Sequence, residues 1–114
     1  MQHQLLASGQ WDKLSFPEQM GHIGSEVGRS IKWREKGQEK LAWQAFVRSS
    51  ELLWLSIESA RNHPARLKEL TRARECWFDF FAFENRYRSM GESFIKYFDG
   101  FTKLLLIRSS SHFN

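Results

Sequence analysis

Apolar residues recur along this chain at intervals of three and four, and no stretch alternates with the period of two that a half-buried strand requires. The first periodic segment opens at Ser15-Phe16-Pro17-Glu18. Ser15 can cap a helix, Pro17 falls in its first turn, and Glu18 stands at the third helical position, as a capping box demands. Phe16, Met20, Ile23, Val27 and Ile31 follow one stripe from there, with His22, Arg29 and Lys32 opposite. Gly21, Gly24 and Gly28 flank the stripe. Each costs a helix interior about 1 kcal/mol relative to alanine, so the trio predicts that another helix backbone approaches closely there.

Gly37 marks the break before a second helix, predicted from about Gln38 to Arg61. Leu41, Ala45, Leu52 and Ser56 form one of its faces, and Phe46, Leu53, Ile57 and Ala60 lie beside them. Trp43, Val47 and Trp54 carry the apolar surface further round, leaving only Gln44, Arg48, Glu51 and Glu58 as a polar strip. A helix apolar on so much of its circumference is buried on more than one side, whereas each helix of a four-helix monomer shows one face to water. The pattern therefore places Trp43, Val47 and Trp54 at an interface, with a homodimer as the expected assembly.

Asn62-His63-Pro64 makes a turn, and Pro64 opens a third helix reaching about Phe83. Its core stripe is Leu67, Leu70, Trp77, Phe78 and Phe81, opposite a solvated face of Lys68, Arg72, Glu75 and Asp79. The loop at residues 84–88 follows, and Ser89-Met90-Gly91-Glu92 has the form of a second capping box. In the fourth helix Phe94, Tyr97, Phe98, Phe101, Leu104 and Leu105 share one arc. The pattern predicts an all-α fold, an antiparallel bundle of about four helices, with residues 1–14 as an N-terminal extension, 15–108 as the bundle and 109–114 as a frayed tail.

Composition adds three constraints. The 114 residues fit one domain, and five Trp with ten Phe supply more aromatic area than one small core needs. The single cysteine, Cys76, excludes an intramolecular disulfide and points to a reducing cytoplasm. The N-terminus lacks the basic and apolar regions of a signal peptide, and no apolar run approaches a membrane span. The net charge of +4, from 17 basic and 13 acidic residues, is a mild excess that a mixed-charge surface accounts for.

Candidate chemistry is sparse. Arg74 falls in the middle of the third helix's core stripe. A guanidinium there must snorkel, find a buried anion or partner, or lie over an aromatic ring, and the structural alternatives take precedence over a ligand contact. His22 and Glu26 stand four apart, but with no third ligand a surface pair is the better reading than a metal site. Cys76 falls on the solvated side of its helix with no histidine nearby in sequence, which argues against a reactive thiolate. Arg61, Arg66, Lys68, Arg72, Arg74, Arg86 and Arg88 form a basic cluster, interleaved with Glu69, Glu75, Asp79 and Glu84. There is no phosphate-binding glycine loop and no catalytic grouping, so neither catalytic residues nor a cofactor nor a metal is expected.

Two resemblances follow from these residues. Residues 20–29, Ala45-Phe46-Val47-Arg48 with Glu51-Leu52-Leu53, and Arg66-Leu67-Lys68-Glu69-Leu70 resemble a family of short bacterial four-helix proteins with no firm activity, over about Leu14 to Leu105. In that family Asp79-Phe80-Phe81 is followed by an acid-Asn-x-Tyr-x-Ser loop, matched by Glu84, Asn85, Tyr87 and Ser89. This marks Asn85 and Tyr87, beside Arg72 and Arg74, as candidate binding residues. More distantly the chain resembles helical-bundle partners of minimal nucleotidyltransferases in toxin–antitoxin modules. The nuclease members' arginine and histidine spacing is absent: Arg61 stands two before His63, and Arg108 four before His112 in the tail. The second apolar stripe of helix two and the absence of a catalytic grouping point to a non-enzymatic, homodimeric interaction protein, and the more distant resemblance implies a role as accessory subunit to a nucleotidyltransferase-like partner. The alternative is a bundle that binds or cleaves RNA through Arg72, Arg74, Arg86 and Arg88.

Overall fold

The computed structural model describes residues 9–111, with side chains as far as residue 107. A short 3-10 turn, Trp11–Lys13, precedes four helices: α1 (Phe16–Glu35), α2 (Glu39–Ser59), α3 (Pro64–Ala82) and α4 (Gly91–Ser111). All-α is the fold class, and the described residues contain no strand.

The helix boundaries follow from local chemistry. Ser15 Oγ accepts the Glu18 N–H at 3.2 Å, and Glu18 Oε1 accepts the Ser15 N–H at 3.0 Å, so the first capping box forms on both sides. At the other end of α1, Gly37 adopts φ +75°, its N–H reaches the Arg34 carbonyl, and the Gln38 N–H reaches that of Trp33. These two bonds form a Schellman motif. Only a residue without Cβ enters that backbone region freely, so Gly37 stops the helix and turns the chain.

The second capping box does not form. α4 starts at Gly91, which puts Ser89 outside the capping position. The Ser89 N–H and carbonyl are instead held by the side-chain amide of Asn85, at 2.9 and 3.1 Å. α4 also runs to Ser111, past the expected end of the bundle at residue 108. Residues 1–8 of the expected extension, and 112–114 of the expected tail, lie outside the described residues.

Contacts between helices run antiparallel throughout. Between α1 and α2, Arg34 reaches Glu39, Glu26 reaches Arg48, and Gln19 reaches Ser59. Between α1 and α4, Gly91 lies against Ile31, and Phe16 against Phe101. α3 packs on α2 through Trp77 and Phe81 against Phe46, and meets α4 at Phe94. The core is formed by Met20, Ile23, Val27, Leu52, Leu53, Leu70, Trp77, Phe94 and Phe98, largely the stripes expected from the pattern. Of the three glycines of α1 only Gly24 answers the expectation of close approach. A Cβ there would stand 2.5 Å from the Cβ of Phe98, whereas Gly21 and Gly28 face open space.

Three features of the core go beyond what the periodic pattern conveys. Trp11, expected in an extension, is fully buried, and its indole Nε1 donates to Ser56 Oγ at 3.1 Å. Trp77 Nε1 donates to Ser49 Oγ at 2.9 Å. Each serine hydroxyl in turn donates to a carbonyl of its own helix, at Phe46 and Leu52. Two buried indole N–H groups are thereby satisfied by two serines set two turns apart on α2. Glu26, expected on a polar face, is also buried, held by Arg29 at 2.6 Å and by Arg48 of α2 at 2.8 Å.

Candidate functional site

The outer face of α2 carries the expected interface residues. Trp43, Val47 and Trp54 remain 50, 40 and 53% exposed, although the inward face of their helix is buried. Trp43 leans on the rings of Phe46 and Phe81, with centroids 5.0 and 6.1 Å away. Val47, Ser50, Glu51 and Trp54 line a shallow depression on this face. Helical periodicity sets the arrangement: 43, 47 and 54 return to one side of the helix, while Ala42, Ala45, Ser49 and Ser56 turn inward.

The second candidate region is the loop between α3 and α4. Asp79 organises it: its carboxylate accepts the backbone N–H of Arg86 at 2.8 Å and of Tyr87 at 3.0 Å. Its carbonyl accepts the Asn85 N–H at 2.9 Å. Asn85 takes φ +54° and Arg88 φ +52°, a region that asparagine tolerates better than most residues. The side chain of Asn85, expected to bind a ligand, is thus committed to both backbone groups of Ser89. Tyr87 donates its hydroxyl to Glu75 at 2.5 Å, and this bond raises its pKa above the usual phenol value. The Arg72 guanidinium lies 5.0 Å from the Tyr87 ring centroid, on the same side of the loop.

Arg74 departs from expectation. It is exposed, and it lines an open cleft of about 730 Å³ with Phe78, Phe83, Arg86 and Tyr87. The reason is lateral. Phe80 and Cys76 face α4, so the buried arc of α3 is rotated away from Arg74 relative to the apolar stripe. The same rotation leaves Cys76, expected in solvent, half-buried near Phe94 and Tyr97. Of the cations that lie over aromatic rings among the described residues, Arg34 comes nearest, its guanidinium carbon 3.6 Å from the Phe81 centroid. Its Nη1 donates to the Phe81 carbonyl at 2.9 Å.

The structure therefore brings Arg74 and Tyr87 to one cleft and lays Arg72 over the Tyr87 ring from the neighbouring groove, with Asn85 as a loop brace. Phe83, 72% exposed beside them, was not singled out from the sequence. Its position two residues past the last core aromatic, in a loop, was the available signal. His22 lies on the surface, 5.7 Å from the Trp11 ring. Among the described residues no group of His, Cys, Asp or Glu comes together that could hold a metal ion, and no helix is long and apolar enough to cross a membrane. Comparison of the chain with protein-family models, curated proteins and solved structures finds no match, so these surfaces are read from their own chemistry.

Proposed function

We propose that this chain is a non-enzymatic interaction bundle that binds protein through the outer face of α2. The observation that carries the reading is the pair of half-exposed indoles, Trp43 and Trp54, aligned with Val47 on the outer face of a helix whose inward face is core. Exposed apolar surface gathered in one place and rimmed by polar residues marks an interaction site, and Trp is the residue type most enriched where interface energy concentrates. In keeping with the resemblances, the biological setting we propose is a bacterial cytoplasmic two-component module, with this chain as the accessory subunit beside a protein such as a nucleotidyltransferase.

The test is site-specific photo-crosslinking in native cells, with a benzophenone side chain at position 54 and a control at position 103 of α4. Adducts from position 54 that are absent from position 103 support the reading. Equal yields from the two positions, or none from 54, overturn it.

A second reading is favoured by one observation at the α3–α4 loop. Arg74 makes no ion pair among the described residues and stands beside the exposed rings of Phe83 and Tyr87. Arginines interleaved with exposed aromatics suit single-stranded RNA, whose bases stack while phosphates pair. Such binding must weaken steeply with salt. A flat salt dependence, or no affinity for a single-stranded oligonucleotide in dilute buffer, removes this reading.

A further inference from the structure

We propose that the partner on the outer face of α2 is a second copy of this chain, laid antiparallel so that Lys40 of one protomer meets Glu58 of the other. This rests on the reading of α2 as an interaction surface, and it names the occupant.

Lys40 and Glu58 are 18 residues apart, which at 3.6 residues per turn is five whole turns. They therefore share one line along α2, about 27 Å apart. Both are exposed, and neither makes an ion pair with the described residues. Trp43, Val47 and Trp54 lie within about 60° of that line, all to the same side of it. The face thus reads cation, indole, aliphatic, carboxylate, indole, anion from one end to the other, with half-buried Glu51 between Val47 and Trp54.

A two-fold axis perpendicular to α2 reverses this order while keeping each residue on its own side of the contact. Placed near position 49, it sets Lys40 opposite Glu58 and Trp43 opposite Trp54 in one register. The two pairings differ by about one residue's rise, 1.5 Å. Self-complementarity of this kind is what an isologous contact requires, and a foreign partner would place no such demand on the surface. A parallel pair would instead set Lys40 against Lys40 and Glu58 against Glu58, which like-charge repulsion disfavours.

The helix itself gives an independent reason. Lys40 stands in the first turn of α2 and Glu58 in the last. That order opposes the helix macrodipole, which favours anions at the N-terminus and cations at the C-terminus. Stability of the isolated helix does not explain these two charges, whereas a crosswise pair between protomers does. One helix face is small beside the roughly 800 Å² per partner of a standard interface, so a dissociation constant on the order of 10 µM is expected.

The experiment is sedimentation equilibrium at low salt on the full chain, from ~1 to ~200 µM so as to bracket that constant. Wild type should pass from monomer to dimer. K40E and E58K should each weaken association about threefold to tenfold, because each substitution places two like-charge pairs in the dimer. The double variant K40E/E58K should recover most of the loss. W54E should abolish the dimer, with helical circular dichroism retained. The charge variants should also melt at or slightly above the wild-type temperature, since each now suits the macrodipole. Dimerisation unchanged by the single reversals, or losses that add in the double variant, overturns the crosswise pairing. A chain that stays monomeric overturns the second copy as occupant. The crosslink at position 54 then separates the two claims. An adduct to a different protein, rather than at about twice the 13.5 kDa chain mass, leaves the α2 surface standing and this inference fallen. No adduct removes both.

Discussion

Serine is an ordinary residue on a helix surface and an uncommon one in a core, and α2 uses it as the acceptor for buried indoles. Ser49 and Ser56 each take a tryptophan N–H that would otherwise be stranded away from water. Replacing either by alanine raises helix propensity slightly but orphans the indole donor, a loss of about 1–3 kcal/mol. Ser25 is exposed and bonds only its own helix, so Ser25→Ala should change stability by less than about 0.5 kcal/mol. Urea unfolding of the three variants checks the contrast, and equal effects at Ser49 and Ser25 would contradict it. Glycines divide in the same manner. Gly28→Ala gains up to about 1 kcal/mol in open space, whereas Gly24→Ala drives a methyl into Phe98 and should destabilise. Neither the serine nor the glycine distinction was readable from the chain alone. Periodicity places a residue on a face, but only the neighbouring helix decides whether a small side chain there is a contact or a gap.

At the scale of elements, the helices were legible because each carries a stripe at helical spacing and a stop signal, as with Gly37 after α1 and Pro64 before α3. Less legible was how far round each stripe the cover extends. Arg74 sits between Leu70 and Phe78 on the wheel, yet α4 covers the opposite flank, so Arg74 stays exposed while Arg34 lies against the Phe81 ring. That arginine ties the end of α1 to the end of α3. Arg34→Ala should therefore lower stability by about 1–3 kcal/mol, the range for a lost charged hydrogen bond, while Arg74→Ala should lower it by less than about 0.5 kcal/mol. Comparable losses in thermal or urea melts would contradict this account. The α3–α4 loop depends in the same way on Asp79. Asp79→Ala frees the N–H groups of Arg86 and Tyr87, and amide exchange at those two positions should accelerate while that of α1 stays unchanged.

For the whole molecule, two titrations contribute to the pH dependence of stability, one on each side of neutrality. The backbone N–H and hydroxyl of Ser15, in that order, hold the Glu18 carboxyl below its ordinary value. A depressed carboxylate stabilises the fold above its unfolded pKa, near 4.5, and that contribution is lost as pH falls through the folded value. Between α3 and α4, burial first and the bond to Glu69 second push the Tyr97 phenol well above its usual 10. A raised phenol has the opposite sign: its contribution is intact below about pH 10 and is lost as pH climbs through the folded value. Alkaline unfolding should therefore steepen above about pH 10, and Tyr97→Phe should flatten that limb. An unchanged alkaline limb in Tyr97→Phe would show that the Glu69 bond carries no such linkage.

The placement of the indoles has an optical consequence. Trp11 and Trp77 emit from a dry, hydrogen-bonded interior, while Trp43 and Trp54 stand half in water on one helix face. The chain thus holds two extremes of indole environment, with half-buried Trp33 between them, without any added dye. A water-soluble quencher such as acrylamide reaches the red-shifted pair and leaves the blue-shifted pair bright. Covering of the α2 face would shrink the quenchable red fraction and add to the blue emission, whereas unfolding would shift emission to the red and open every indole to the quencher. One titration in a cuvette therefore tells assembly apart from loss of the core.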